Sequence, residues 1–562
     1  MKKLLLSGLV LASAAASAQA VMTPELLWSL GRVGLDDAAS SGWVAYGVTR
    51  YDLEANKGNR DLFVVHAATG ETRSLAAEPG GEYGATFVKG GTRVAYVHQG
   101  KLKSRAIDGS DVRVHLDVPG GVSDVKLREL ANGQWIVAFV TREKLDQTPL
   151  ERHPEAPKAN YAVFDDLMYR HWDSWTDYHY NHVAFAQVFP DAPNPATEFT
   201  DILKSVRGHA PLPPFGGAES FDLSPDGSFI VYSAKLSTGK EFALHTDSKL
   251  YRYDVATATT TELPGLGGYD GNPRISPDGK SLAFTAMPTD GYESDVNQLY
   301  LLDLSVPGAQ PRRIDVAGEY VNDLKWVGPS SMVLNVTQEA SHQLIRLELK
   351  GAKVAVTALT VGDYDFGGFA YAGKTLVAER MDQNQANELY QLGGKAPAAL
   401  THVNDADYAK IARGTVEKRW IPTSDGKKML TWVMYPPNFD PAKKYPALLY
   451  CQGGPQSTVS AFYSFRWNFQ AMAAQGYIVV APNRRGVPGF GREWNEQISG
   501  DWGGQAMKDY LAAIDAVAAE PYVDAQRLGA VGASYGGYSV YQLAGIHEGR
   551  FKALISHCGL FN

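Results

Sequence analysis

A serine with small neighbours on both sides, Gly532-Ala533-Ser534-Tyr535-Gly536, is the segment of this sequence best suited to covalent chemistry. An apolar run at residues 528–531 precedes it, and a helical stretch follows to about residue 544. A strand that turns sharply into a helix at a serine exposes the hydroxyl and directs helix N–H groups at a developing oxyanion. This is the chemistry of acyl transfer, and the alternative is a glycine-rich turn with an idle serine.

A second segment, Gln452-Gly453-Gly454-Pro455, directly follows a buried strand at residues 447–451. In an α/β-hydrolase, the loop after such a strand supplies a second oxyanion donor, and glycines let its backbone approach the substrate closely. Alone, this segment is an ordinary turn. Together with the serine turn downstream, it indicates an oxyanion hole.

The elements that must position these residues alternate between strand and helix from about residue 414. Helix 505–519 has apolar residues on one face. Strands are predicted at residues 419–421, 429–434, 447–451, 478–481, 528–531 and 553–558. Such alternation predicts a mostly parallel sheet that is covered by helices on both faces.

Upstream of about residue 405, and after a short helix near residues 23–30, the chain has short β repeats. Strands that begin at Leu250, Leu299, Leu344 and Leu389 lie 49, 45 and 45 residues apart, and a related strand begins at Leu62. This is the length of a four-stranded propeller blade. Two Ser-Pro-Asp-Gly turns, at residues 224–227 and 276–279, predict hairpins between blade strands. With weaker units around Leu102 and Val183, we expect about seven blades.

Residues 148–201 interrupt this period and are rich in aromatic residues and histidine. Two interpretations remain open. The segment is either a long insertion whose aromatic side chains pack on the propeller, or an arm that projects toward an active site.

The bulk composition is that of an ordinary globular protein of two large domains, because 562 residues exceed what one compact core holds. A net charge of −8 argues against nucleic acid or an anionic membrane as a partner. Lys2-Lys3, an apolar run and Ala18-Gln19-Ala20 predict a signal peptide over residues 1–20. We therefore expect an exported protein, periplasmic or secreted, without a membrane anchor.

The five motifs of the C-terminal part, in their order and spacing, resemble the prolyl oligopeptidase family. They are Gln452-Gly453-Gly454-Pro455, Asn483-Arg484-Arg485-Gly486, Gly489-Phe490-Gly491, Asp501-Trp502-Gly503-Gly504 and the segment around Ser534. The resemblance implies a β-propeller at residues 21–409 and an α/β-hydrolase domain at residues 410–562. Residues 167–173 and 451–456 are most similar to the bacterial dipeptidyl-peptidase V branch.

The resemblance also implies roles for single residues. Ser534 is the expected nucleophile, and the Tyr535 N–H is the expected first oxyanion donor. The second donor is either the Gln452 side chain, where relatives have Tyr or His, or the Gly453 N–H. Arg484 and Arg485 match family positions, either as substrate contacts or as structural ion pairs. Candidates for binding a substrate amine are the acidic residues Glu155, Asp165, Asp166 and Asp173.

The resemblance further implies that Cys451 and Cys558 end strands on either side of the Ser534 strand. Two strand spacings of about 9–10 Å exceed disulfide reach, so we expect two free, largely buried thiols. The serine also needs a histidine base and an orienting carboxylate later in the chain. His547, Glu548 and His557 fit this order or spacing poorly. By the family pattern about 100 residues are missing, so we expect a truncated hydrolase domain that is inactive as it stands.

The expected function is that of an exported serine peptidase that releases dipeptides from the free N-termini of short peptides. Acylaminoacyl peptidase or esterase activity of the same fold is the first alternative. A non-catalytic propeller binding protein with a degenerate hydrolase domain is an alternative from another class. We expect no cofactor, no metal, no nucleic acid and no membrane partner, and a homodimer is left open.

Overall fold

The repeated Leu-containing segments form the third strands of four-stranded antiparallel sheets, and the Ser-Pro-Asp-Gly turns connect first to second strands in two of these sheets. The computed structural model describes residues 19–292, 294–316, 320–351 and 353–561. Within them, seven such sheets precede one six-stranded sheet, which confirms the predicted propeller and hydrolase folds. The predicted signal peptide lies outside the described residues, except for Gln19 and Ala20.

Each propeller blade contains four consecutive strands, with the first strand innermost. Blades 1 to 3 comprise Arg32–Ala38, Trp43–Asp52, Lys57–His66, Thr72–Ala76; Glu82–Val88, Arg93–His98, Lys101–Ala106, Arg113–Leu116; and Ser123–Glu129, Trp135–Lys144, His179–Val188, Thr200–Asp201. Blades 4 and 5 comprise Phe221–Leu223, Phe229–Ala234, Lys249–Asp254, Thr259–Glu262; and Tyr269–Ile275, Ser281–Met287, Gln298–Asp303, Arg312–Ile314. Blades 6 and 7 comprise Tyr320–Gly328, Ser331–Gln338, Ser341–Lys350, Lys353–Ala358; and Asp365–Ala372, Thr375–Asp382, Gln385–Gln391, Ala398–Ala399.

Short elements surround the blades. The predicted first helix is Pro24–Ser29, where the Thr23 hydroxyl accepts the Leu26 N–H and so caps the helix. The others are the strand pair Ala20–Val21 with Ile411–Ala412, the helices Pro149–Arg152, Gly239–Leu244 and Asp405–Tyr408, and the 3₁₀ turns Lys89–Gly91 and Ala218–Ser220. None of the helices in the described ranges is both long and apolar enough to cross a bilayer.

The insertion after the second strand of blade 3 is largely exposed. Its hairpin pairs Arg170–His171 with Ser174–Trp175, and Trp172 is 64% exposed. Phe164, Tyr169 and Trp175 stack on one another at the base of this hairpin. The aromatic side chains therefore contact one another more than they cover the blades.

The six strands of the hydrolase sheet are β1 (Val416–Pro422), β2 (Lys428–Met434), β3 (Tyr445–Cys451), β4 (Ile478–Pro482), β5 (Val523–Ala533) and β6 (Phe551–His557). They lie in the order β1-β2-β4-β3-β5-β6. β1 and β2 pair antiparallel to their neighbours, and the other strands are parallel. The predicted mostly parallel sheet is therefore correct, and an antiparallel hairpin forms one of its edges.

Helices cover both faces of this sheet, as the alternation of strand and helix predicts. The helices are α1 (Phe469–Ala474), α2 (Arg492–Glu496), α3 (Gln505–Ala518) and α4 (Tyr535–Ile546). α3 and α4 pack on one face through Tyr510, Ile514 and Leu543, while α1 packs on the other through Phe469.

The propeller is attached to this second face by the tip of blade 6. The turn between its second and third strands places Glu339 N–H within 3.0 Å of the Gly489 carbonyl oxygen. The next residue, Ala340, is fully buried in the hydrolase core beside Trp432. Propeller and hydrolase side chains can therefore line one cavity.

The two cysteines are both free, as expected, but only one is buried. Cys451 ends β3 inside the sheet, and its burial raises the pKa of the thiol. Cys558 is exposed, so the expectation of two buried thiols is wrong for this residue. The reason is its place after β6, the edge strand of the described sheet, where Ile555 is also 56% exposed.

Candidate active site

Ser534 lies at a sharp backbone turn between β5 and α4. Its φ and ψ are 57° and −123°, a region that residues with a side chain rarely adopt. The Ser534 N–H donates to the His557 carbonyl oxygen over 3.0 Å, and this bond holds the turn against β6. Tyr535 is the first residue of α4, where backbone N–H groups have no partner inside the helix. Both features match the predicted roles of nucleophile and first oxyanion donor.

The loop after β3 lies directly beside this turn because β3 and β5 are parallel neighbours, with Cys451 opposite Gly532. A Cβ placed on Gly453 would lie 3.7 Å from Ser534 Cβ. The Gln452 side-chain amide donates to the Ser457 hydroxyl over 2.9 Å. Gln452 would have to give up that bond to reach an oxyanion, so this geometry favours the Gly453 N–H as the second donor.

Arg484 is fully buried and connects the loop to the turn. Its guanidinium donates to the carbonyl oxygens of Gln452 (3.4 Å) and Pro455 (3.0 Å). It also lies 4.7 Å from the centre of the Tyr535 ring, at cation–π distance. These contacts position the oxyanion loop, and they correspond to the structural alternative for this residue.

Arg485 does not line the cavity at Ser534 and forms one buried ion pair, with Asp509, and a second with the exposed Asp425. It donates to Asp509 over 3.1 Å and, through two nitrogens, to Asp425 over 2.6 and 2.7 Å. The guanidinium holds the pKa of Asp425 well below its usual range. Asp173, on the exposed hairpin of blade 3, is not among the residues that line the cavity at Ser534. Substrate contact by Asp173, Arg484 or Arg485 stays a prediction.

A cavity of about 620 Å³ opens beside Ser534, between the hydrolase domain and blade 6. The hydrolase contributes Gln452, Gly453 and an aromatic wall of Tyr450, Phe462 and Trp467. Blade 6 contributes Tyr320, Asn322, Thr337 and His342. A substrate at the serine therefore contacts both domains.

The blade 6 residues could not be predicted from sequence patterns, because their position beside Ser534 depends on how the propeller packs against the hydrolase domain. His342 is held by Asp365, which accepts its backbone N–H over 2.9 Å and also the Ser460 hydroxyl. Asp365 is fully buried, and burial raises its pKa. Asp365 thus joins blade 7 to the loop that follows β3 and so keeps the cavity walls together.

The two histidines after Ser534 are engaged elsewhere. The His547 ring accepts the Phe551 N–H over 3.2 Å at the end of α4. The His557 ring is exposed and lies 5.8 Å from the Trp467 ring. Within the described ranges, neither imidazole hydrogen-bonds to the Ser534 hydroxyl, which agrees with the low expectation for both as a base.

Among the residues that the structure describes, one group of possible metal ligands occurs, at blade 2, and none of its members lines the cavity at Ser534. Ligand atoms of Glu78, Glu82 and His98 lie within 4.8 Å of one another. The Lys103 ammonium already donates to Glu78 (3.2 Å) and His98 (2.8 Å), and Arg105 also binds Glu78. Two cations of the protein therefore take the place that a metal ion would need.

The tightness of the turn gives a first prediction. A Cβ on Gly536 would lie 2.1 Å from the Cys451 carbonyl oxygen, so Gly536→Ala must shift the backbone. We expect it to lower the free energy of unfolding by about 1–3 kcal/mol in urea titrations. Gly545, on the same helix, has no atom within 4 Å of such a Cβ, so Gly545→Ala should instead stabilise by about 0.5–1 kcal/mol. Equal effects of the two substitutions would contradict this geometry.

Comparison with known proteins identifies the family to which this chain is similar. The pattern of the prolyl oligopeptidase family matches residues 463–562. The dipeptidyl-peptidase 5 of Porphyromonas endodontalis is 40% identical over 97% of this chain and 79% of its own length. The dipeptidyl-peptidase 5 of Porphyromonas gingivalis is 39% identical over 96% of this chain and 79% of its own length.

Among solved structures, the Pyrococcus horikoshii acylaminoacyl peptidase shares the fold. Its TM-score is 0.76 at 16% identity, over 97% of this chain and 79% of that one. At this identity, the likeness concerns the arrangement of propeller and hydrolase alone.

Proposed function

This chain belongs to the prolyl oligopeptidase family of serine peptidases, and on that premise we propose that the native protein releases dipeptides from the free N-termini of short peptides. The observation that supports the chemistry is the strained Ser534 turn, which opens into a cavity beside the glycine loop. The dipeptidyl-peptidase 5 relatives, aligned over nearly the whole chain, support the specificity. The predicted signal peptide supports export.

The proposed reaction begins when Ser534 Oγ attacks the peptide carbonyl carbon and its proton passes to a general base. The carbonyl oxygen becomes an oxyanion, which the Tyr535 and Gly453 N–H groups stabilise. The C–N bond then breaks, the amine leaves with a proton, and water hydrolyses the acyl-enzyme. The positive end of α4 favours the negative charge at the point where it develops.

The cavity supports a preference for short peptides. Because residues of blade 6 and of the hydrolase domain line it from two sides, we expect the propeller to restrict the access of a folded polypeptide to the serine. A short flexible chain can enter and reach both walls.

The decisive assay compares matched coumarin amides of one dipeptide, with a free and with an N-acetylated N-terminus, on the native protein. We expect kcat/KM to be about 100-fold higher for the substrate with the free amine. This factor corresponds to the loss of one charged hydrogen bond, because the acetylated substrate has no ammonium group. The opposite preference would indicate an acylaminoacyl peptidase, and cleavage of esters alone would indicate an esterase. Failure of a fluorophosphonate to label Ser534 would favour a non-catalytic binding protein.

A further inference from the structure

Arg466 is the one permanently charged side chain among the described residues that line the cavity at Ser534. It lies on the loop between β3 and α1, next to Trp467, and lines the same cavity as the serine turn. The other residues that line the cavity are neutral or aromatic, apart from the titratable imidazole of His342. The cavity therefore has a local excess of positive charge, although the protein as a whole is acidic.

The guanidinium of Arg466 has no hydrogen-bond or ion-pair partner within the part of the chain that the structure describes. Its neighbours in the domain differ: Arg484 and Arg485 are fully engaged with carbonyl and carboxylate oxygens. An arginine has five N–H donors in a planar fork, and this fork matches the two oxygens of a carboxylate. Arg466 thus presents an unused anion-binding group to the cavity.

The backbone that carries Arg466 is well fixed. The Ser464 hydroxyl accepts the N–H groups of Arg466 (3.1 Å) and Trp467 (2.8 Å). Asn468 donates to the Ser464 carbonyl oxygen over 2.9 Å, and its side chain also caps α1. Because hydrogen bonds already hold this turn in the absence of a ligand, binding does not have to order its backbone, and the ordering cost on the protein side is mainly that of the Arg466 side chain.

An aromatic wall lies beside Arg466 in the same cavity. Tyr450 packs between Phe469 and Trp467, with ring centres 4.9 and 6.2 Å away. These rings form an apolar side of the cavity, against which the uncharged part of a peptide can pack while Arg466 binds its charge. Burial raises the pKa of the Tyr450 hydroxyl, and the Arg466 charge acts in the opposite direction.

We infer that Arg466 binds a carboxylate of the peptide in the catalytic cavity. The carboxylate is either the C-terminus of a short peptide or an acidic side chain, and both offer the same pair of oxygens. This inference rests on the proposed function, since it places a peptide beside Ser534. It makes short, anionic peptides the preferred substrate class.

The test measures binding without turnover, by calorimetry on the full chain carrying Ser534→Ala. A tetra-alanine with a free C-terminus is compared with its amide, and an amidated peptide that contains Glu is compared with its Gln counterpart. Each peptide is titrated into the Ser534→Ala protein, which serves as the parent. It is also titrated into three double variants, in which Arg466→Gln, Arg466→Lys or Arg527→Gln is combined with Ser534→Ala. The last is a matched control, because Arg527 is exposed and pairs with Asp524 away from the cavity.

We expect Arg466→Gln to weaken the binding of the peptides that carry a carboxylate about 10- to 100-fold. The same substitution should weaken the binding of their uncharged counterparts, the amide and the Gln peptide, less than about 2-fold. Arg466→Lys should recover part of the loss because it keeps the charge without the fork. The peptide pair whose two members differ in affinity identifies the carboxylate that Arg466 binds. A difference between tetra-alanine and its amide indicates the C-terminus, and a difference between the Glu and Gln peptides indicates an acidic side chain.

Equal affinity within both pairs, or equal weakening of acidic and neutral peptides, would overturn the inference. Failure of every peptide to bind the parent would overturn it as well. The proposed function has a separate test, because calorimetry measures affinity without hydrolysis. That function would be contradicted if the native protein cleaved no peptide. Unchanged melting curves of the Arg466 variants, expected for an exposed side chain, would confirm that they are folded.

Discussion

Ser534→Ala is expected to lower kcat/KM of the native protein by at least about 10³-fold, whichever substrate proves best. The reason is that the acyl-enzyme forms only on Oγ, and water alone attacks an amide slowly. Covalent labelling by a fluorophosphonate, located by mass spectrometry of the peptide that contains residue 534, should disappear at the same time.

The matched control is Ser539→Ala, on the same helix. The Ser539 hydroxyl is buried and donates to the Tyr535 carbonyl oxygen over 2.9 Å, and Ser539 does not line the cavity. This variant should keep activity within about 3-fold and lose about 1 kcal/mol of stability at most. If both variants lost activity to the same extent, the loss would result from a disturbance of α4 and not from removal of the nucleophile.

Arg485→Met is expected to lower the free energy of unfolding by about 3–5 kcal/mol. The side chain is 3% exposed, and its loss would leave the fully buried Asp509 without its cation. Burial already raises the pKa of Asp509, so the unpaired carboxylate would take up a proton more readily in the folded protein. Urea unfolding followed by tryptophan fluorescence measures the loss.

Arg527→Met is the control for this experiment. Arg527 pairs with Asp524 over 2.7 Å, but its side chain is 55% exposed. Exposed pairs contribute about 0–1 kcal/mol, so this variant should unfold nearly as the wild type does. A loss for Arg485→Met no larger than that for Arg527→Met would show that Arg485 is not a structural ion pair, and substrate contact would regain support.

Most of the secondary structure of the hydrolase domain could be predicted because its signals are local. Apolar runs such as residues 447–451 and 478–481 became the buried strands β3 and β4, and the small residues around Ser534 became the turn into α4. Backbone strain at Ser534 and close packing at Gly536 follow from the same short segment. For such features the neighbours in sequence are also the neighbours in space.

The sequence by itself therefore determined the propeller repeats, the hydrolase sheet and the candidate nucleophile, since these depend on periodicity and turn chemistry over a few residues. Only the tertiary structure decided which charged and thiol side chains are buried and which residues they contact. It buried Arg484 and Arg485, exposed Cys558 at a sheet edge, and brought blade 6 and Arg466 to the cavity at Ser534. The physical reason is that burial and partners come from elements far apart in the chain, and packing alone brings these elements together.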